Sequence, residues 1–342
     1  MTRRTRHRAA RPRRPTDHLL EARYPFRPRE ILSADEVAHI HQEAKRLLQE
    51  HGMRVLLGEA RTILAEAGAA VDDDMVRIPA ELIDHAVAAA PSSFTIQAPD
   101  PRHDLALGAG RVAFLPVGGP PFVSDLDRGR RTGTLEDLEN FLRLTQDFDV
   151  LHALGPCVEA QDVPVDVRHL HTTRSILTLS DKTPYLFTRG RQRVADVFEM
   201  LRIRLGIDRE TFESAPRVWA NINTNSPRQL DVPMAMGIID MARHGQACMM
   251  TPFTLAGAMA PVSIAGALLL QHAELLAAVT LSQLVRPGAP VVYGGFTSNV
   301  HLRTGSPSFG TPEAIQGAIA TGQLARHVGL PWRSSGSSAG DS

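Results

Sequence analysis

Val218-Trp219-Ala220-Asn221-Ile222-Asn223-Thr224-Asn225 reads as a β-strand with two unlike faces. Side chains alternate along a strand, so Val218, Ala220 and Ile222 form an apolar face suited to helices, while Asn221, Asn223 and Asn225 project from the other. Downstream, residues 232–244 carry a helical pattern and 247–253 return to an apolar strand. Strand, helix and strand in succession mark a parallel sheet built from βα units. The alternation extends in both directions. It predicts strands over 112–117, 151–159, 185–189, 218–225, 247–253, 291–296 and 332–335, and helices over 135–148, 165–179, 194–205, 232–244, 263–285 and 312–327. These seven strands and six helices make an incomplete α/β fold of the TIM (β/α)8-barrel type. One more helix, an eighth strand and a final helix would be needed to close it. Residues 334–342 form a Ser- and Gly-rich stretch straight after a strand, where a βα loop hands over to its helix, so the chain is expected to be truncated.

Upstream the pattern differs. Ser33 followed by Glu36 is a capping box opening an amphipathic run, with Gly52 as its stop. A second helix is expected over 58–67, a β-like piece around Asp72-Asp73-Asp74, and a third helix over 79–90. Residues 31–108 therefore read as a helical, α+β leader module ahead of a partial barrel domain over 109–342. Residues 1–30 read as a disordered tail, because Arg3, Arg4, Arg6, Arg8, Arg11, Arg13 and Arg14 crowd its start without apolar surface to bury.

Thirty-seven Lys and Arg balance thirty-seven Asp and Glu, so no global field favours nucleic acid or a membrane surface. No apolar run reaches the roughly 18 residues needed to span a bilayer, and no apolar segment follows Arg3-Arg4 as an export signal would require. The expected location is the cytoplasm. Cys157 and Cys248 lack the neighbours of a thiolate metal site and read as ordinary buried thiols. Lysine occurs only at 45 and 182, which leaves little scope for Schiff-base chemistry.

Barrel chemistry sits at the carboxyl ends of strands. Three inward amides are unusual where branched apolar side chains normally pack, since an unpaired buried amide costs roughly 1–3 kcal/mol. Asn223 and Asn225, nearest the mouth, are the preferred candidates, against a self-satisfied amide ladder. Thr251 and Phe253 end the fifth strand, and Tyr293 and Gly294 lie near the end of the sixth. Aromatic faces there suit a cationic group, although the same residues pack barrel cores generally. Gly118-Gly119-Pro120-Pro121 brings backbone near the mouth. Glu159 and Arg189 close two further strands, with a surface salt bridge as the bland alternative. His301 is a loop acid or base candidate or simply exposed, and Ser335 belongs to the terminal loop. His272 and Glu274 are expected on the solvated side of their helix.

One family matches these residues closely. The segment from Thr251-Pro252-Phe253-Thr254-Leu255-Ala256-Gly257 through Gln271-His272-Ala273-Glu274, with Pro290-Val291-Val292-Tyr293-Gly294, resembles the trimethylamine methyltransferase family. Gly52-Met53-Arg54-Val55 and Ala90-Pro91-Ser92-Ser93-Phe94 resemble its amino-terminal module. The resemblance implies transfer of a methyl group from a tertiary or quaternary methylated amine, trimethylamine- or glycine-betaine-like, to the cobalt of a corrinoid (cobalamin) carried by a separate protein. No cofactor would then be bound directly. A homo-oligomer is expected. Founding members carry pyrrolysine after the seventh strand, a position this sequence does not reach, and relatives with an ordinary residue there use other quaternary amines. Two alternatives stand beside this reading: a lyase or isomerase barrel with its phosphate cradled by the Ser/Gly-rich end, and a non-catalytic truncated relative.

Overall fold

Ser33 opens the first helix as its sequence requires. Its Oγ accepts from the Glu36 N–H, and the Glu36 carboxylate accepts from the Ser33 N–H at 2.7 Å. The computed structural model describes residues 22–116, 118 and 121–334. In chain order the leader comprises α1 (Ala34–Glu50), β1 (Met53–Val55), α2 (Gly58–Glu66), β2 (Ala70–Asp72), β3 (Met75–Arg77), α3 (Ala80–Ala89), and an antiparallel pair, β4 (Phe94–Ile96) and β5 (Leu105–Leu107). A hairpin, β6 (Phe122–Asp125) and β7 (Gly129–Thr132), leads to α4 (Leu135–Asp147) and α5 (Arg168–Leu179).

The βα units then begin. They run β8 (Tyr185–Leu186), α6 (Arg191–Leu205), α7 (Arg209–Glu213), β9 (Trp219–Ile222), β10 (Gln229–Leu230), α8 (Val232–Arg243), β11 (Ala247–Met250), β12 (Phe253–Ala256), α9 (Ile264–Val285), β13 (Val291–Gly294), β14 (Phe296–Asn299), α10 (Pro312–His327) and β15 (Trp332–Arg333). Five of these strands form one sheet in the order β15-β13-β11-β9-β8, with every neighbouring pair parallel. This is an α/β fold with successive strands side by side. Each of the six helices expected in the barrel region is present within three residues of its predicted ends.

Two expected strands are replaced by irregular segments. Over 112–116 and 151–159 the described residues form only a single bridge within the sheet, Ala153 to Thr183. The segments still lie side by side, the His152 N–H donating to the Phe114 carbonyl at 2.8 Å and the Leu154 N–H to the Thr183 carbonyl at 3.0 Å. Pro116 and Pro156 have no N–H for a ladder. Gly155 sits so close to Pro116 that an added Cβ would lie 2.8 Å from its carbonyl oxygen. Two strands are also interrupted. The 247–253 strand breaks at Thr251-Pro252 and the 291–296 strand at Gly295, and their continuations, β12 and β14, form a separate parallel pair.

The leader shares a continuous hydrophobic core with the βα region. Strand β1 pairs in parallel with β10, so a leader sheet incorporates a strand from the loop after β9. The backbone N–H groups of Ile31 and Leu32 donate to Gln323 Oε1 on α10. Residues 22–24 lie against 110–112, with an antiparallel bridge from Arg23 to Arg111. The arginines at 3–14 lie outside the described residues. Helix α9 is long and apolar enough to cross a membrane by length and composition, but it is buried within the protein on nearly all sides, and a helix apolar all round is what a core helix looks like.

Candidate functional site at the carboxyl ends of the parallel strands

Strand register decides which side chains share a face. Asn221 pairs with Met249, Met249 with Val292, and Gly294 with Arg333. Partners in a parallel ladder project to the same side and neighbours along a strand to opposite sides. Asn221, Thr251, Gly294 and Arg333 therefore share the face away from the helices. Ile222, Met250 and Tyr293 share the helix-facing side. The contacts agree: the Tyr293 hydroxyl lies 2.7 Å from His272 Nδ1 on α9, and a Cβ on Gly237 of α8 would touch Ile222.

The inner face carries one polar cluster. Thr251 Oγ1 donates to Asn221 Oδ1 at 2.9 Å, Asn221 Nδ2 donates to Asn223 Oδ1, and Arg333 Nη1 reaches both Asn221 Oδ1 and Thr251 Oγ1 at 3.3 Å. Arg333 is partly buried, and burial alone lowers its pKa. In sheet order β13 stands between Arg333 and its two partners, and at that level β13 presents Gly294. A Cβ there would lie 2.2 Å from Thr251 Oγ1 and 2.7 Å from the Met250 carbonyl. The expected result of Gly294→Ala is a loss of about 1–3 kcal/mol in urea unfolding, because the Met250 backbone cannot move aside as a flexible side-chain end would. A midpoint unchanged from wild type would show that the strands separate freely here.

The other predicted residues are distributed differently. Asn223 is exposed and accepts from Asn221. Asn225 leaves the face entirely: its N–H donates to the Gln229 carbonyl and its side chain pairs with Asp231, so it builds the turn into β10. Asn221, the less favoured amide on sequence, is the one at the cluster. Tyr293 is not at a mouth; it is fully buried between sheet and α9. Phe253 stacks on Phe296 with ring centroids 4.8 Å apart, and Phe309 meets Phe296 edge-on at 4.9 Å. Those rings lie two residues beyond Thr251 and Gly294 in the chain. Glu159 and Arg189 pair with each other, Arg168 adds a second contact to Glu159 at 3.6 Å, and the Arg189 guanidinium covers the Phe187 ring. His301 is exposed and holds its own turn through Thr304. Ser335, the rest of the Ser/Gly-rich end after Ser334, and Gly119 and Pro120 lie outside the described residues.

Arg333 is the site residue that the sequence reading missed. Its signal was available: in the pair Trp332-Arg333, alternation turns one side chain outward and the other inward, and the inward one is basic. His272 and Glu274 were expected in solvent, yet both are fully buried. Glu274 accepts from the hydroxyls of Thr224 and Ser226 and from the Arg228 N–H. Neither cysteine is poised as a nucleophile, since burial pushes the Cys157 thiol up to about 11 and the Cys248 thiol up to about 12. Both lysines are engaged: Lys45 with Asp84, and Lys182 with the carbonyls of Thr145, Phe148 and Leu151. A cavity of about 530 Å³ is lined by Arg102, Arg111, Val112 and His152 among others. None of the residues of the polar cluster lines it.

The fold is that of a methylamine-methyltransferase-like α/β protein. The crystal structure of Methanosarcina barkeri monomethylamine methyltransferase superposes with a TM-score of 0.54 at 12% identity, over 88% of this chain and 61% of that one. The trimethylamine methyltransferase (MTTB) family model matches residues 1–342, and the chain belongs to that family. It is 34% identical over 307 residues to a glycine betaine methyltransferase of Desulfitobacterium hafniense (strain Y51), covering 90% of this chain and 64% of that protein. It is 29% identical over 302 residues to a trimethylamine methyltransferase of Desulfitobacterium hafniense (strain DSM 10664 / DCB-2), covering 87% and 61%. The chain thus spans less than two thirds of the length of these relatives.

Proposed function

We propose that this protein takes a methyl group from a tertiary or quaternary methylated amine and delivers it to the cobalt of a corrinoid held by a separate protein in the cytoplasm. The observation that carries the reading is the make-up of the polar cluster on the inner face of the sheet. Asn221, Asn223, Thr251 and Arg333 hold one protonation state across neutral pH. Such a set binds and orients; it does not shuttle protons. That fits displacement at a methyl carbon, in which the C–N bond breaks, its electron pair stays on the amine nitrogen, and no proton need move at the carbon. Co(I) in a corrinoid supplies the electron pair for the new bond, so the chain's own task is alignment, which can supply much of a rate enhancement. The stacked Phe253 and Phe296, two residues beyond Thr251 and Gly294 in the chain, offer ring faces for an ammonium group. The parallel β8 to β15 sheet with its intervening helices is the larger part of a TIM-type barrel in this reading, and the inner face is its interior.

The test is to incubate the purified gene product with reduced corrinoid protein and a panel of trimethylamine, glycine betaine and other N-methyl betaines, following cobalt methylation by absorbance. Demethylation of one of them, with the N-demethylated amine as product, is expected. Absence of cobalt methylation with every amine would overturn the reading.

A further inference from the structure

The aromatic pair Phe253–Phe296 stands at the front of a two-stranded ladder whose back is polar. In β12 and β14, Phe253 pairs with Phe296 and Thr254 with Thr297, so the two rings project to one side and the two hydroxyls to the other. Both rings remain partly exposed. Behind the hydroxyls lies Gln271 of α9, which has no exposed surface. Thr297 Oγ1 donates to Gln271 Oε1 at 2.5 Å, and Gln271 Nε2 donates to Thr321 Oγ1 on α10 at 3.0 Å. The Tyr293 hydroxyl also meets this carboxamide. Thr321 gives its own proton to the Gly317 carbonyl at 2.7 Å. A hydroxyl has one proton to give, so the 2.7 Å bond between Thr254 Oγ1 and Thr297 Oγ1 runs from Thr254 to Thr297. Thr254, Thr297, Gln271 and Thr321 thus form one directed chain, all of it buried. Such a chain holds its members in a single arrangement, because a buried polar group left without a partner is costly.

The same carboxamide accounts for the break in the preceding strand. At Gly295, between β13 and β14, an added Cβ would lie 2.6 and 2.8 Å from the Gln271 amide nitrogen and oxygen and 2.4 Å from Thr321 Cγ2. The backbone passes this close because the residue has no side chain. The strand leaves the five-stranded sheet there, and its continuation, β14, pairs with β12 alone. The stacking of Phe253 on Phe296, with centroids 4.8 Å apart, therefore depends on where Gln271 holds the backs of these two strands. We propose that Gln271, acting through Thr297 and Thr254, is a positioning residue: it fixes β12 against β14 so that the two rings present their faces to the ammonium group of the methyl donor. This rests on the amine-demethylating reading above, in which the rings meet that group, and adds the residue that sets their placement. Gln271 itself touches no substrate, since the strand pair lies between it and the ring side. Among the described residues no hydrogen bond joins this chain to Asn221, Thr251 or Arg333, so its effect on the site runs through the rings.

Titration calorimetry with choline and with neohexyl alcohol, which has the same shape with carbon in place of the charged nitrogen, isolates the contribution of the ring faces. Wild type is expected to bind choline about tenfold tighter than the alcohol, the scale of one cation–π contact. Phe296→Leu should remove that preference. Gln271→Met, close in shape and without hydrogen bonds, should reduce it at least about threefold while the alcohol's affinity stays within about twofold. Thr297→Val should do the same, and Thr297→Ser, which keeps the hydroxyl, should restore the preference to near wild type. Gln271→Met combined with Phe296→Leu should be no worse than Phe296→Leu alone, since a residue that acts through a ring has nothing further to lose once the ring is gone. If Gln271→Met does not fold, the two Thr297 variants decide the question. An unchanged preference in Gln271→Met and Thr297→Val, equal weakening of choline and alcohol, or losses that add in the double variant would overturn the assignment. Failure of the two readings is distinguishable. Full choline preference in Phe296→Leu removes the rings from the site altogether, whereas loss in Phe296→Leu without loss in Gln271→Met removes only the role of Gln271. Choline binding that depends on both residues, without cobalt methylation by any amine, leaves the positioning role standing and removes the methyl transfer.

Discussion

Replacing Glu274 by alanine is expected to destabilise the protein by about 3–5 kcal/mol in urea unfolding, the range seen when one partner of a buried charged network is removed. The residue lies in the middle of α9 with no exposed surface. One carboxylate oxygen accepts from the hydroxyls of Thr224 and Ser226, at 2.8 Å for the latter, and the other accepts from the Arg228 N–H at 2.7 Å. Burial pushes the carboxyl pKa up, so the three donors are what make the site tolerable. Those donors all belong to the 224–228 turn, which carries the chain from the end of β9 into β10 and so onto β1 of the leader. Alanine leaves two hydroxyls and a backbone N–H without an acceptor. Glutamine should cost less, about 1–2 kcal/mol, because its oxygen can keep the Arg228 N–H while the two hydroxyls rotate to accept from its amide. Equal stability of Glu274→Ala and wild type would mean the turn is anchored elsewhere.

The same turn shows where sequence reading succeeds and where it stops. Strand-period alternation placed Asn221 and Asn223 on the inner face, and it holds as long as the strand lasts. It cannot report that the ladder ends at Ile222, after which Asn225 serves a turn and pairs with Asp231. Parity also rules out Tyr293 and Gly294 both facing inward, since they are consecutive in one strand; the structure sends the ring to α9 and leaves the glycine inside. Helices were more legible than strands because their signals are local, as at Ser33 with Glu36 and at the serine-capped α9. The burial of His272 and Glu274 was not legible from their own helix. Helix α9 is apolar around its whole circumference, so no stripe marks a wet side, and the partners that satisfy these two residues lie 21 to 231 positions away. Prolines at 116 and 156 were visible, and their missing N–H groups explain the loss of ladders over 112–116 and 151–159.

The second large effect concerns acid. His41 on α1, His272 on α9 and Tyr293 on β13 form a buried chain, with His41 Nδ1 2.9 Å from His272 Nε2 and His272 Nδ1 2.7 Å from the Tyr293 hydroxyl. Both imidazoles are held neutral. Burial, then the neighbouring Lys45 and His327 charges, lower the His41 pKa to about 4 against the weaker opposing pull of Asp84, and burial with the other histidines' charges lowers that of His272. In the unfolded chain each would titrate near 6.5. Between pH 6.5 and 4 the unfolded state therefore binds protons that the folded state refuses, and stability must fall as pH falls. Above 6.5 the contribution is complete, and below 4 that of His41 is fully lost. From His41 alone the expected loss between pH 7 and 5 is about 2 kcal/mol, with His272 adding in the same direction. Urea unfolding across that window leaves Asp100 and Asp137 ionised in the folded state, because neighbouring arginines hold both carboxyls below the usual carboxylate range, whereas burial raises the Glu274 and Asp240 carboxyls, so that proton uptake there opposes the histidine trend. A variant with His41→Leu and His272→Phe should show a much shallower slope over the same range, even if its stability at pH 7 is lower. Because this chain of rings joins the leader helix to the sheet through α9, a wild-type profile that falls toward pH 5 no more steeply than that of the double variant would mean that the contact between leader and βα region opens and hydrates before the protein unfolds.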